Sequence, residues 1–220
     1  MPAAKSQAFR IDWRVPGALI ALTIVPVLAG GARLAQMAAG GAAIGDSARI
    51  SASPTPVILH IIAASIFGVL GALQFVPQFR SRGSRWHRTA GRLVLPCGFV
   101  VALTGLWMTQ FYAPIATDST LLYATRLAVG GAMLVALSMA VLSLRRRAFE
   151  SHGDWMIRAY ALGMGAGTQV LIHLPWFLLI GVPGPTSRAL LMGAAWVVNI
   201  AVAEWIIGRR AFPFAQSQSR

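Results

Sequence analysis

Long apolar stretches alternate along the chain with short polar ones, and six of the apolar stretches can cross a bilayer. A hydrocarbon core of about 30 Å needs about 20 helical residues. Runs of that length fall at 15–37, 55–77, 92–113, 122–143, 156–180 and 188–208. The pattern predicts an all-α fold, a polytopic integral membrane bundle of six transmembrane helices with no room for a separate soluble domain. A basic segment, 1–14, precedes the bundle and a tail, 209–220, follows it. The first run ends in Leu28-Ala29-Gly30-Gly31-Ala32, which resembles a cleavable signal segment. It continues to Met37, however, and is long enough to span, so a retained helix is expected.

Two polar stretches punctuate this pattern. Trp86-His87-Arg88-Thr89-Ala90-Gly91-Arg92 and Ser151-His152-Gly153-Asp154-Trp155-Met156-Ile157-Arg158 each read as a turn at the foot of an apolar run. Within the runs, helical steps align His60, Ala64, Gly68, Gly71 and Gln74 on one stripe, and Arg158, Leu162, Gly165, Gln169 and His173 on another. Small and polar residues on one stripe mark a face that packs on other helices, because small residues allow close approach and polar ones need partners in lipid.

Composition agrees with this reading, since 56% of residues are hydrophobic and the mean hydropathy is +0.66. A net charge of +13 would suggest nucleic acid in a soluble protein, but its distribution excludes that. With both termini cytoplasmic, only Arg33, Arg49, Arg126 and Arg188 of the 19 Lys and Arg residues lie on the outer side. The positive-inside rule is then obeyed at every loop, and the cytoplasmic face should attract anionic lipid headgroups. Cys97, the only cysteine, lies in an apolar run and reads as a packing residue.

The four histidines fall into two layers. His60 and His173 lie near the outer surface on different helices, with Arg126, Gln110 and Gln169 near the same level. Two imidazoles facing each other across a bundle are the axial ligands of a b-type haem, and an arginine beside them would neutralise its propionates. The same residues also suit a structural or proton-relay role. A divalent metal is disfavoured, because the nearest carboxylates, Asp46 and Asp118, are loop residues. His87 and His152 belong to an inner polar cluster with Arg88, Arg92, Trp155, Arg158 and Glu204. That cluster reads either as an anion or headgroup site or as a plain cytoplasmic cap. Glu204 is a carboxylate within the membrane span and calls for a partner, for which Arg92 and Arg158 are at the right depth.

The motifs Leu59-His60-Ile61, Gly71-Ala72-Leu73-Gln74-Phe75, His87-Arg88-Thr89-Ala90-Gly91-Arg92, His152 to Ala161 and Ala203-Glu204-Trp205 resemble a family of predicted bacterial membrane proteins, domain of unknown function 2306. The likeness spans about residues 20–210. It implies a multi-pass protein of the bacterial inner membrane, with the family character carried by His60, Gln74, His87, Arg88, Arg92, His152, Trp155, Arg158 and Glu204. The chain departs from the family's pattern at Gly167-Thr168-Gln169, where an Arg often stands. A weaker likeness, to transmembrane di-haem cytochromes b, rests on His-Arg-x-x-Gly at a helix start and on the two histidine layers.

No metalloprotease, nucleophile-elbow or phosphate-loop motif is present, so covalent catalysis is not expected. Three functions remain open. The first is a redox membrane protein binding b-type haem or quinone through His60 and His173. The second is a proton-coupled transporter using Glu204, Arg158 and His173, although the sequence shows no pair of broken helices. The third is a structural or assembly protein that joins a partner membrane subunit through its small-residue faces.

Overall fold

The computed structural model describes residues 13–40, 47–76 and 85–217. Lys5, Arg10, Asp46, Arg80, Arg82 and Arg220, and with them most of the basic segment 1–14, lie outside the described residues. Eight helices make up the described fold: α1 Arg14–Ala38, α2 Ser47–Ala52, α3 Pro54–Leu73, α4 Arg85–Phe111, α5 Thr120–Arg145, α6 Phe149–Gly163, α7 Gly165–Leu179 and α8 Pro185–Ser217. Five of them, α1, α3, α4, α5 and α8, are long and apolar enough to cross a membrane. Helices α6 and α7 pass the same test of length and hydropathy only when taken together, and are bent by 42° at the break between them, so the described residues hold five or six candidate spans.

Neither polar motif is a turn. Trp86 to Arg92 occupies the first turns of α4, and Ser151 to Arg158 lies inside α6. Hydropathy marks only where a helix leaves the hydrocarbon. Arg, Ala and Met favour helix wherever no proline intervenes, so the helix itself continues past that point. The connection before α6 is correspondingly tight. Helix α5 ends in a Schellman motif, in which Ala148 N–H donates to the Ser143 carbonyl and Arg147 N–H to that of Leu144. Arg147 takes the left-handed conformation there, with φ 60°.

Helix α6 is the hub. It packs against α3, α4, α5 and α8, while α7 leans outward onto α1 and α8. The core around the hub joins Phe67 and Ala63 of α3, Val94, Cys97 and Val101 of α4, Met133 and Leu137 of α5, and Ala159 and Tyr160 of α6. Tyr160 is 4% exposed; its ring lies 5.6 Å from that of Phe67 and 5.2 Å from that of Phe75, and its hydroxyl donates to the Gly68 carbonyl at 2.7 Å. Gly71 makes this approach possible, because a Cβ there would run into the Tyr160 ring. Cys97 is buried in the same core.

Candidate functional site

The break between α6 and α7 lies in Gly163-Met164-Gly165-Ala166-Gly167, a segment whose glycines cost helix stability and whose missing side chains let neighbours come close. Gly167 sits so near the Leu22 carbonyl of α1 that a Cβ would collide with it. A broken helix in hydrocarbon needs its freed backbone groups satisfied. The Ala161 carbonyl loses the Gly165 N–H that would bond it in a continuous helix, and Asn199 of α8 replaces that donor through Nδ2 at 2.9 Å. Thr168 completes the clasp, its hydroxyl donating to Asn199 Oδ1 at 2.7 Å.

A cavity of about 170 Å³ opens beside the break, between α1, α3 and the α6–α7 bend. Gly163, Met164, Ala166 and Gly167 form one wall, and Thr23, Pro26, His60, Ala64 and Ser65 face them. Its polar groups have their hydrogens committed elsewhere. Thr23 donates to the Ile20 carbonyl at 2.7 Å and Ser65 to the Ile61 carbonyl at 2.8 Å. Thr104 donates to the Val100 carbonyl at 2.6 Å, so its oxygen is an acceptor for His60 Nδ1 at 2.9 Å. This network assigns the proton to His60 Nδ1, which in the neutral imidazole leaves the lone pair on Nε2. The polar side chains lining this cavity, Thr23, His60 and Ser65, thus each offer an acceptor.

The outer layer expected from the sequence is not assembled around one space. His173, Arg126, Gln110 and Gln169 do not line the His60 cavity. His173 donates from Nδ1 to the Gln169 carbonyl on its own helix at 2.8 Å. Gln110 accepts from the Tyr123 hydroxyl at 2.7 Å. Arg126 binds Asp118 at 3.2 Å. The cavity beside His60, at about 170 Å³, is close in size to an engineered cavity of about 150 Å³ that holds one benzene ring. Among the described residues, no three His, Cys, Asp or Glu side chains are grouped as metal ligands.

Arg126 instead belongs to a cluster at the end of the bundle that carries the α4–α5 connection. Asp118 Oδ1 accepts from Arg126 Nη1 at 3.2 Å and from Arg188 Nη1 at 3.1 Å, and Arg49 Nη1 lies 3.9 Å from Oδ2. Arg188 also donates to the Thr117 hydroxyl at 2.7 Å, and Arg49 to the Ala113 carbonyl at 3.0 Å. Three of the four arginines assigned to the outer side thus meet at one carboxylate. The expectation that Asp118 is merely a loop residue overlooks it, because its partners lie on α2, α5 and α8 and share no local spacing with it.

At the opposite end, the predicted inner cluster is joined only in part. Arg158 of α6 makes a bidentate pair with Glu204 of α8 at 2.6 and 2.9 Å and stacks over Trp155 with 4.6 Å between the guanidinium carbon and the ring centroid. Of the two partners proposed for Glu204, Arg158 takes the role and Arg92 does not. His152 Nδ1 donates to the Ala140 carbonyl of α5 at 2.9 Å, beside a Ser143–Ser151 hydroxyl pair at 3.0 Å. Arg88 and Arg92 are exposed on α4, and His87 is half-buried in the first turn of that helix. Sequence reasoning missed Thr104, Thr23 and Asn199 as site-forming residues. The polar Asn199 inside an apolar run was the one available signal.

No curated protein and no solved structure matches the chain. The model of a family described as predicted membrane protein (DUF2306) matches residues 57–207, which include His60, the α6–α7 break and the Arg158–Glu204 pair. The chain belongs to that family of predicted membrane proteins.

Proposed function

We propose that the protein is a membrane-embedded binding protein for a small, lipid-soluble hydroxyl compound of the quinol class, held at the α6–α7 break by His60. The observation that carries this reading is that the polar side chains of the cavity, His60, Thr23 and Ser65, all offer acceptors. A donor hydroxyl satisfies His60 Nε2, whereas a carbonyl would leave that lone pair opposed to another. The volume suits one aromatic ring, and the apolar walls suit a molecule arriving from the lipid. The test is saturable quenching of tryptophan fluorescence by a short-chain hydroquinone, with the protein in detergent. His60→Ala should weaken binding at least about tenfold, and Ala64→Phe, which fills the cavity, should abolish it. Binding indifferent to both changes would sink the proposal.

The break itself favours a second reading, passage of a solute across the membrane, because interrupted helices line transport sites. This reading departs from the three-residue path expected from the sequence. Arg158 and Glu204 are committed to each other, and His173 lies outside the cavity. Proteoliposomes separate the two readings. Net flux of the hydroquinone that His60→Ala removes would establish transport, and binding without flux would leave the protein a binder.

A further inference from the structure

We propose that Arg126 and Arg188, with Arg49 beside them, form a site for a phosphate group at the Asp118 end of the bundle. The argument starts from charge. Arg126 and Arg188 reach the same carboxylate oxygen, at 3.2 and 3.1 Å, so two guanidinium groups share one negative charge. Among the described residues, no second carboxylate lies within ion-pair distance of Arg126 or Arg188. Like charges held together repel unless an anion joins them.

The donors point the same way. Arg126 and Arg188 each use only Nη1 in their hydrogen bonds, and their Nε and Nη2 groups bond to no described residue. A guanidinium presents these donors as a planar fork that matches the paired oxygens of phosphate. The Thr117 hydroxyl, which accepts from Arg188, keeps its own hydrogen for an incoming oxygen. The cluster lies where α5 and α8, two of the candidate membrane spans, begin. Basic pockets between helix ends are where lipid head groups bind. The phosphate could belong to such a headgroup or be free in solution.

The experiment uses the full chain in a neutral maltoside detergent and two probes, inorganic phosphate and dioctanoyl phosphatidylglycerol, with dioctanoylglycerol as the phosphate-free control. Calorimetric titration should show saturable binding that the Arg126→Gln/Arg188→Gln variant weakens at least about tenfold. Arg145→Gln/Arg146→Gln, at the other end of the bundle, should leave it unchanged. Binding of both probes identifies recognition of phosphate itself, and binding of the lipid alone identifies a headgroup site. Asp118→Asn removes the internal competitor, so it should bind the probe more tightly and regain thermal stability when the probe is added. Wild-type protein that binds neither probe, or equal weakening by the Arg145/Arg146 changes, overturns the proposal. Should the Arg126/Arg188 variant fail to fold, Asp118→Asn decides, and unchanged or weaker binding there also overturns it.

Discussion

Asn199 of α8 donates to the Ala161 carbonyl of α6 at 2.9 Å, supplying from a neighbouring helix the hydrogen bond that the break removes. Replacing Asn199 with Leu leaves that carbonyl and the Thr168 hydroxyl without their partner. An unsatisfied buried polar group costs about 1–3 kcal/mol. Thermal unfolding in detergent should show Asn199→Leu destabilised by that order. An unchanged midpoint would mean that the α6–α7 segment closes into a continuous helix without Asn199.

Tyr160 holds α6 to α3 in two ways, through ring packing and through its hydroxyl on the Gly68 carbonyl. Tyr160→Phe keeps the rings and should lose about 0.5–1.5 kcal/mol, the net value of one hydrogen bond. Gly71→Ala pushes the ring away, and overpacking of this kind costs about 1–3 kcal/mol. Denaturant unfolding followed by circular dichroism should rank Gly71→Ala as equal to or worse than Tyr160→Phe.

The Arg158–Glu204 pair is bidentate and backed by Trp155. A double-mutant cycle with Arg158→Gln and Glu204→Gln should give a coupling of about 0.5–3 kcal/mol, with the double variant less destabilised than the sum of the two single ones. Strict additivity would mean that the two groups do not act as a pair.

Arg147 adopts φ 60° at the C′ position of α5. A side chain in that conformation costs about 1–2 kcal/mol relative to glycine. Arg147→Gly should therefore raise the unfolding midpoint, since the Schellman hydrogen bonds at Ala148 and Arg147 depend on the backbone alone. A lowered midpoint would show that the side chain makes a stabilising contact greater than this strain.

The bundle was legible because lipid imposes two strong rules, spans of apolar residues and internal backbone hydrogen bonding. The site was less so. His60 stands out as a polar residue on a small-residue stripe, and Glu204 as a carboxylate that needs a cation. The pairing of His60 with His173 failed because matched depth says nothing about which helices are neighbours. Helix α1 packs between α3 and α7, and those two do not touch. The Asp118 cluster was invisible for the converse reason: residues 49, 118, 126 and 188 come together only when three helices, α2, α5 and α8, meet the α4–α5 connection. The α6–α7 break was not legible, since residues 156–180 read as one continuous helix and its three glycines as a packing face.

The hub arrangement gives α7 a distinct mechanical standing. It is anchored to α1 and α8 and to neither α3, α4 nor α5, yet it supplies Ala166 and Gly167 to the cavity wall. The cavity is thus walled on one side by the core around Phe67 and Tyr160 and on the other by a half-helix tied at the bundle's edge, through the Thr168–Asn199 bond and the close approach of Gly167 to Leu22.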